Sequence, residues 1–346
     1  YTVNVTMILH EITGGETMAG FQEIVGHEEV IQHLQNAIRL GKVSHAYILS
    51  GEKGSGKKLL ANTFAMALQC EKKGVDPCQE CRSCKKAMSR NHPDIIYITH
   101  EKPNSIGIED IRTQLIEDVM IKPYCSSYKI YIIDEAEKLT LQAQNALLKT
   151  IEEPPAYAVI LLLTSNMETF LPTITSRCVK LNLRPVQESM VKDYLMEKMH
   201  LPDYQAQMDA AFSQGNIGKA RQMAESDEFN LMTEQALRIL KKSNELELYE
   251  MVEMIKELSA EKQNIDEYLD LFAMWFRDVL FFKATKEVDG LMFKDQLNHI
   301  KERARKSSYE GIEKIIDAIG TAKERLHANV NFDLVMELLF LTIREN

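Results

Sequence analysis

Seven residues, Gly51-Glu52-Lys53-Gly54-Ser55-Gly56-Lys57, stand between a short apolar run, Ala46–Ser50, and a segment, 59–68, whose apolar side chains recur at helical spacing. Glycines at a strand-to-helix turn let successive backbone N–H groups converge on phosphate, and the lysine reaches its oxygens. Strand, glycine-rich turn and helix in that order form the first unit of a parallel sheet. The chain is therefore expected to contain an α/β domain with a phosphate-binding loop, its cradle formed by Gly51, Gly54, Ser55, Gly56, Lys57 and Lys58.

Further buried strands are expected at 95–99, 129–133 and 159–164, separated by helices at 108–119 and 141–151, with one more helix over 21–40. Arg184-Pro185 ends this pattern. At 346 residues the chain exceeds what one core supports. Three domains are expected: 18–184, α/β and three-layered; 185–227, a small helical lid with a loop at Gly215-Asn216-Ile217-Gly218; and 228–346, all-helical, with amphipathic stretches at 231–241, 246–258, 265–282 and 330–343. Residues 1–17 lack periodicity and are left out of the fold argument.

Asp134 and Glu135 close the apolar run Tyr131-Ile132-Ile133. In nucleotide hydrolases this arrangement lets Asp support Mg²⁺ and Glu polarise the attacking water. The residue after Lys57, however, is Lys58, where a Ser or Thr hydroxyl would hold the metal. Intrinsic ATP hydrolysis is not expected, and Asp134 and Glu135 are read as vestigial. Binding of ATP with Mg²⁺ stays open, because the backbone cradle and Lys57 do not depend on that hydroxyl.

Cys70, Cys78, Cys81 and Cys84 supply four thiolates over 15 residues, enough for a closed tetrahedral Zn²⁺ site. Lys, Asp, Gln and Arg are interleaved among them, a setting unlike an apolar core. An iron–sulfur cluster is the less favoured alternative. With four ligands and no open position, the zinc would be structural. Cys125 and Cys178 stand apart and are expected to remain thiols.

Charge and hydropathy narrow the function classes. Fifty-one acidic against 41 basic side chains, net −10, argue against a protein that grips nucleic acid with its whole surface, so DNA contact would be local. No apolar run approaches the roughly 20 residues of a membrane helix, and the amino terminus has no secretory signature. A cytoplasmic protein without membrane contact is expected.

These residues resemble one family, the clamp-loader AAA+ subunits: the bacterial tau/gamma and delta-prime subunits of DNA polymerase III and the eukaryotic replication factor C proteins. The resemblance rests on Val25-Gly26-His27, on His45-Ala46-Tyr47 and on the four-cysteine insertion. It rests further on Asp134-Glu135-Ala136-Glu137, on the run from Asn145 to Pro155, and on Ser176-Arg177-Cys178. It implies an AAA+ fold whose helical collar, 228–346, holds an arc of tau/gamma and delta partners. That arc opens a sliding clamp and places it on primed DNA. By itself Arg177 reads equally as a solvated charge or salt-bridge partner; the resemblance implies an arginine finger acting in trans on a neighbour's ATP. Asn166, in Thr164-Ser165-Asn166, maps onto the sensor-1 position.

Two departures point towards the delta-prime type, a stator that looks like an ATPase. Lys58 replaces the hydroxyl residue, and Gly218 stands where the sensor-2 arginine of the lid aligns. The competing reading is an ATP-hydrolysing, tau/gamma-like motor that tolerates Lys58.

Overall fold

The computed structural model describes residues 20–243, 248–288, 290–328 and 330–346. The segment 1–17, the expected domain start Met18 and the expected helix start Leu246 lie outside these residues. The chain divides into two compact units, one running to Met190 and including Asn216–Gly218, the other holding Val191–Gly215 and Lys219–Asn346. The residues expected as a lid are thus shared between the two units.

The first unit is a five-stranded sheet: β1 (Ala46–Ser50), β2 (Ile95–Tyr97), β3 (Lys129–Ile133), β4 (Ala158–Thr164) and β5 (Val179–Asn182). Their order is β2-β3-β4-β1-β5, and every pairing is parallel, with Ile48 beside Leu162 and Ile133 beside the same residue on the other side. All seven residues of β4 are buried, as a central strand covered on both faces requires. Alternate residues feed two cores. Tyr47, Leu49, Ile130, Ile132 and Leu161 face one cluster with the helix Lys57–Gln69; Ile48, Tyr131, Ile133 and Leu162 face the other with the helix Leu141–Glu152.

Two local features depart from the expected pattern. The expected helix over 21–40 is broken: a short turn, Phe21–Glu23, is followed by the helix Glu28–Arg39, because Gly26 and His27 both adopt left-handed backbone, φ +73° and +60°. The segment expected as a helix at 108–119 starts as one turn, Ile108–Ile111, widens into a π-helical turn, Arg112–Ile116, and ends in a 3₁₀ turn, Asp118–Met120. Strand β5 was not foreseen. It is short and half exposed, and its alternation is too brief to read.

The second unit is helical. Its core gathers Phe272, Trp275, Phe276 and Val279 from the helix Ile265–Thr285 with Val335, Met336 and Phe340 from Phe332–Glu345. Phe272 meets Phe340 edge to face at 6.2 Å. Trp275 and Phe276 are fully buried, whereas Leu334 and Leu338, one turn apart, are exposed. The unit also contains the helices Asp203–Phe212, Asp227–Lys242, Leu248–Ala260, Leu297–Lys306 and Tyr309–His327.

Candidate functional site

Parallel pairing brings the carboxyl ends of β1, β3 and β4 to one edge of the sheet, the edge at which open α/β sheets hold ligands. The phosphate-type loop leaves β1 there, Asp134 follows β3, and Ser165 and Asn166 follow β4. Gly54 and Gly56 sit at φ +88° and +91°, left-handed backbone that a side chain would strain.

The loop is held by the chain's own groups. Lys57 Nζ donates to Gly51 O at 2.6 Å and Glu52 O at 2.7 Å, and burial lowers its pKa against the raising effect of Glu137, Asp134 and Glu52. His27 Nε2 bonds to Ser55 O at 3.0 Å and also lines a cleft of about 470 Å³ with His33, Lys180 and Arg184. Asn216 Nδ2 donates to Lys53 O at 2.8 Å, and Gly218 N–H to Gly54 O at 3.0 Å. A Cβ on Gly218 would lie 2.6 Å from Gly54 O. The residue aligned with sensor 2 is therefore glycine because the loop backbone fills the space of a side chain.

Lys58 Nζ forms an ion pair with Asp134 Oδ2 at 2.7 Å. Glu135, in left-handed backbone at φ +48°, pairs with Lys138 at 2.6 Å. Of the three acids on this loop it is Glu137 that acts most strongly on Lys57. Its carboxylate accepts from Ser165 Oγ at 2.5 Å and from Ser165 N–H at 3.3 Å. Burial acts to raise its pKa, but the hydrogen bonds outweigh that and hold it below the usual range. Asn166 uses Oδ1 to cap the turn Met167–Thr169, accepting from Glu168 N–H at 2.9 Å. The structure thus assembles Lys57, Lys58, Asp134 and Ser165 at one edge, with both strand-end acids, Asp134 and Glu135, engaged by lysines.

Arg177 follows the short helix Pro172–Thr175. Its Nη2 pairs with Glu152 Oε1 at 3.0 Å and its Nη1 donates to Thr173 O at 3.0 Å, with the side chain about 40% exposed. Sequence reasoning missed Gln144, which holds this turn from beneath. Buried at 1% exposure, it donates to Leu139 O and Thr169 O and accepts from Leu171 N–H at 2.9 Å. Its only sequence signal is a polar side chain on the buried face of an amphipathic helix.

The four cysteines converge: the Sγ atoms of Cys70, Cys78, Cys81 and Cys84 lie within 4.8 Å of one another. Cys81 caps the helix Arg82–Met88, its sulfur accepting from Cys84 N–H at 3.3 Å, and Cys78 Sγ accepts from Cys81 N–H at 3.4 Å. Backbone N–H groups of Cys81 and Glu80 lower the Cys78 thiol to about 6, which favours the thiolate that metals bind. Soft donors in this number and spacing fit Zn²⁺. Cys125 and Cys178 are free thiols, the latter pushed up to about 12 by burial.

Comparison with known proteins shows the family. Residues 26–187 match the family described as DNA polymerase III, delta subunit, and residues 233–345 match its C-terminal counterpart. DNA polymerase III subunit delta' of Bacillus subtilis is 32% identical over 91% of this chain and 95% of its own length. The tau subunit of the same organism is 27% identical over 91% of this chain and 60% of its own length. A solved structure, a DNA polymerase III gamma subunit-related protein from Thermotoga maritima, has 20% identity and a TM-score of 0.45 over 91% of this chain and 98% of that one. No helix among the described residues is long and apolar enough to cross a membrane.

Proposed function

The chain belongs to the delta-prime family of DNA polymerase III clamp-loader subunits, and we propose that it acts there as a non-hydrolysing stator that offers Arg177 to the ATP site of an adjacent subunit. The observation that carries this reading is the Lys58–Asp134 pair at 2.7 Å. A P-loop hydrolase needs the hydroxyl after its lysine and the strand-end Asp to hold Mg²⁺. Here an ammonium replaces the first and occupies the second. A divalent cation brought to Asp134 would meet the Lys58 charge, and the absence of a sensor-2 side chain at Gly218 removes another contact to the γ-phosphate.

Arg177 supports the other half of the reading. It is half exposed, and its guanidinium is aimed by Glu152 and Thr173 O, so it is oriented without being buried. A guanidinium presented this way can neutralise charge developing on a neighbour's phosphoryl group. Tau/gamma and delta subunits are the partners this implies, with the sliding clamp and primed DNA engaged through the assembly. The exposed pair Leu334 and Leu338 is the face through which the helical unit would join such a collar. We further infer that Cys70, Cys78, Cys81 and Cys84 hold a structural Zn²⁺, which would cross-link the segment between two helices and supply no chemistry.

Reconstituted loader containing Arg177→Ala should lose ATP turnover at the served site by a factor on the order of 10³, and Arg177→Lys should not restore it. Normal clamp loading by both variants would refute the stator role. Mg²⁺-dependent ATP turnover by the isolated chain at a rate comparable to a motor subunit would instead support the tau/gamma-like alternative.

A further inference from the structure

Two buried polar side chains, one directly before the four-cysteine module and one within it, connect it to a single loop, the first by direct contact and the second through His92 and Asp94. Gln69, directly before Cys70, donates from Nε2 to Tyr128 O at 2.8 Å and to Asp94 O at 3.2 Å, and its Oε1 accepts from Ser126 Oγ. Ser83, between Cys81 and Cys84, bonds through Oγ to His92 Nε2 at 2.9 Å. His92 Nδ1 accepts from Asp94 N–H at 3.1 Å, so in the neutral ring Nε2 carries the proton and donates to Ser83. The Asp94 carboxylate then accepts from Tyr124 N–H at 2.6 Å and from Cys125 N–H at 2.8 Å.

Gln69, Ser83, His92 and Asp94 are all buried. A buried polar network of this kind holds one geometry because each broken bond leaves a buried group unsatisfied. The held loop, 121–128, together with Met120 just before it, carries an exposed apolar surface: Met120, Ile121 and Tyr124 are 76%, 50% and 70% exposed. At its other end Lys129 Nζ, itself buried, donates to Asp118 O at 2.8 Å and Ile121 O at 3.1 Å and lies beneath the Tyr124 ring.

We infer that metal binding at Cys70, Cys78, Cys81 and Cys84 sets the conformation of the loop 121–128, through Gln69 on one side and Ser83, His92 and Asp94 on the other. Drawing the four sulfurs together fixes where Gln69 and Ser83 stand, and those two side chains fix Asp94 and the loop amides it receives. The metal is then a positioning element for an apolar surface outside its own ligand shell. This inference rests on the zinc reading above and is separable from it.

Metal analysis of the purified full-length chain comes first: a chain that neither carries zinc nor takes it up overturns the zinc reading and this inference with it. With zinc bound, amide hydrogen exchange is followed at Tyr124 and Cys125, and at Ile130–Ile133 of β3, before and after treatment with a chelator. The expected result is exchange at Tyr124 and Cys125 faster by at least about tenfold, with β3 unchanged; tenfold corresponds to about 1.4 kcal/mol of protection. In His92→Ala, zinc should remain bound while loop exchange rises towards the chelated level. Exchange at Tyr124 and Cys125 that ignores chelation, or that rises only together with β3, overturns the coupling and leaves the zinc site standing. So does wild-type loop exchange in His92→Ala.

Discussion

Lys58 Nζ lies 2.7 Å from Asp134 Oδ2, so the acid that would hold a metal ion is paired with a cation built into the chain. Both side chains are about 40% exposed, so water screens the pair and its energetic value is small. Its consequence is chemical. Lys58→Thr restores the hydroxyl and removes the competing charge in one step. Mg²⁺ is then expected to tighten ATP binding to the variant by about tenfold or more, on the order of 1.4 kcal/mol, while binding to the wild type is the same in Mg²⁺ and in chelator. Titration calorimetry in both buffers reads this directly. A variant still indifferent to Mg²⁺ would show that Lys58 is not what excludes the metal.

Gly218→Ala tests the contact between Gly218 and the phosphate-type loop. Its Cβ would stand 2.6 Å from Gly54 O, a backbone atom that cannot rotate aside. The expected cost is about 1–3 kcal/mol of stability, the usual range for overpacking. Faster amide exchange at Gly218, whose N–H now donates to Gly54 O, should accompany it. Unchanged thermal stability would mean that the close approach relaxes freely. An arginine at this position, as sensor 2 would require, should open the contact further.

Gln144→Ala removes three hydrogen bonds under the turn that leads to Arg177. Leu171 N–H and the carbonyls of Leu139 and Thr169 lose their partner, and each buried group left unsatisfied costs about 1–3 kcal/mol. The variant should unfold at lower denaturant, and exchange at the Leu171 amide should rise. If Arg177 acts in trans, loader turnover falls too, although Gln144 itself is buried away from solvent. A stable variant with normal turnover would remove Gln144 from any positioning role.

The parallel sheet and the cysteine cluster were legible because each rests on a local pattern. β1, β3 and β4 are continuous apolar runs, and four cysteines at short spacing have few other uses. What stayed hidden depends on distant partners. That Glu135 turns to Lys138 while Glu137 acts on Lys57 follows from one left-handed residue at position 135. The helix Tyr309–His327 was passed over although Ile312, Ile315, Ile319 and Ala322 mark its buried face. Gln144 looked like an ordinary polar residue because its three partners lie on other segments. Gly218 was read as a lost arginine, and only the fold shows the backbone it makes room for.

Asp209 gives the second unit a pH dependence of definite sign. It is 1% exposed, neither carboxylate oxygen has a hydrogen-bond partner among the described residues, and burial raises its pKa from 3.8 to about 7. The folded state thus keeps a proton that the unfolded chain releases. Its contribution is fully present below pH 3.8 and is lost as pH rises through 7, with a limiting slope of about 1.4 kcal/mol per pH unit. Asp278, raised to about 6 by burial, acts in the same direction, so the wild-type curve alone does not isolate Asp209. The difference between wild type and Asp209→Asn does. Near pH 4 the two should be of similar stability. By pH 8 the variant should be the more stable by a few kcal/mol, on the order of 1–3, because an amide enters the interior without a charge. Denaturant unfolding at pH 5, 6, 7 and 8 measures that difference. A difference that does not change across this range would mean that Asp209 stays ionised in the folded protein and has found a partner to hold its charge.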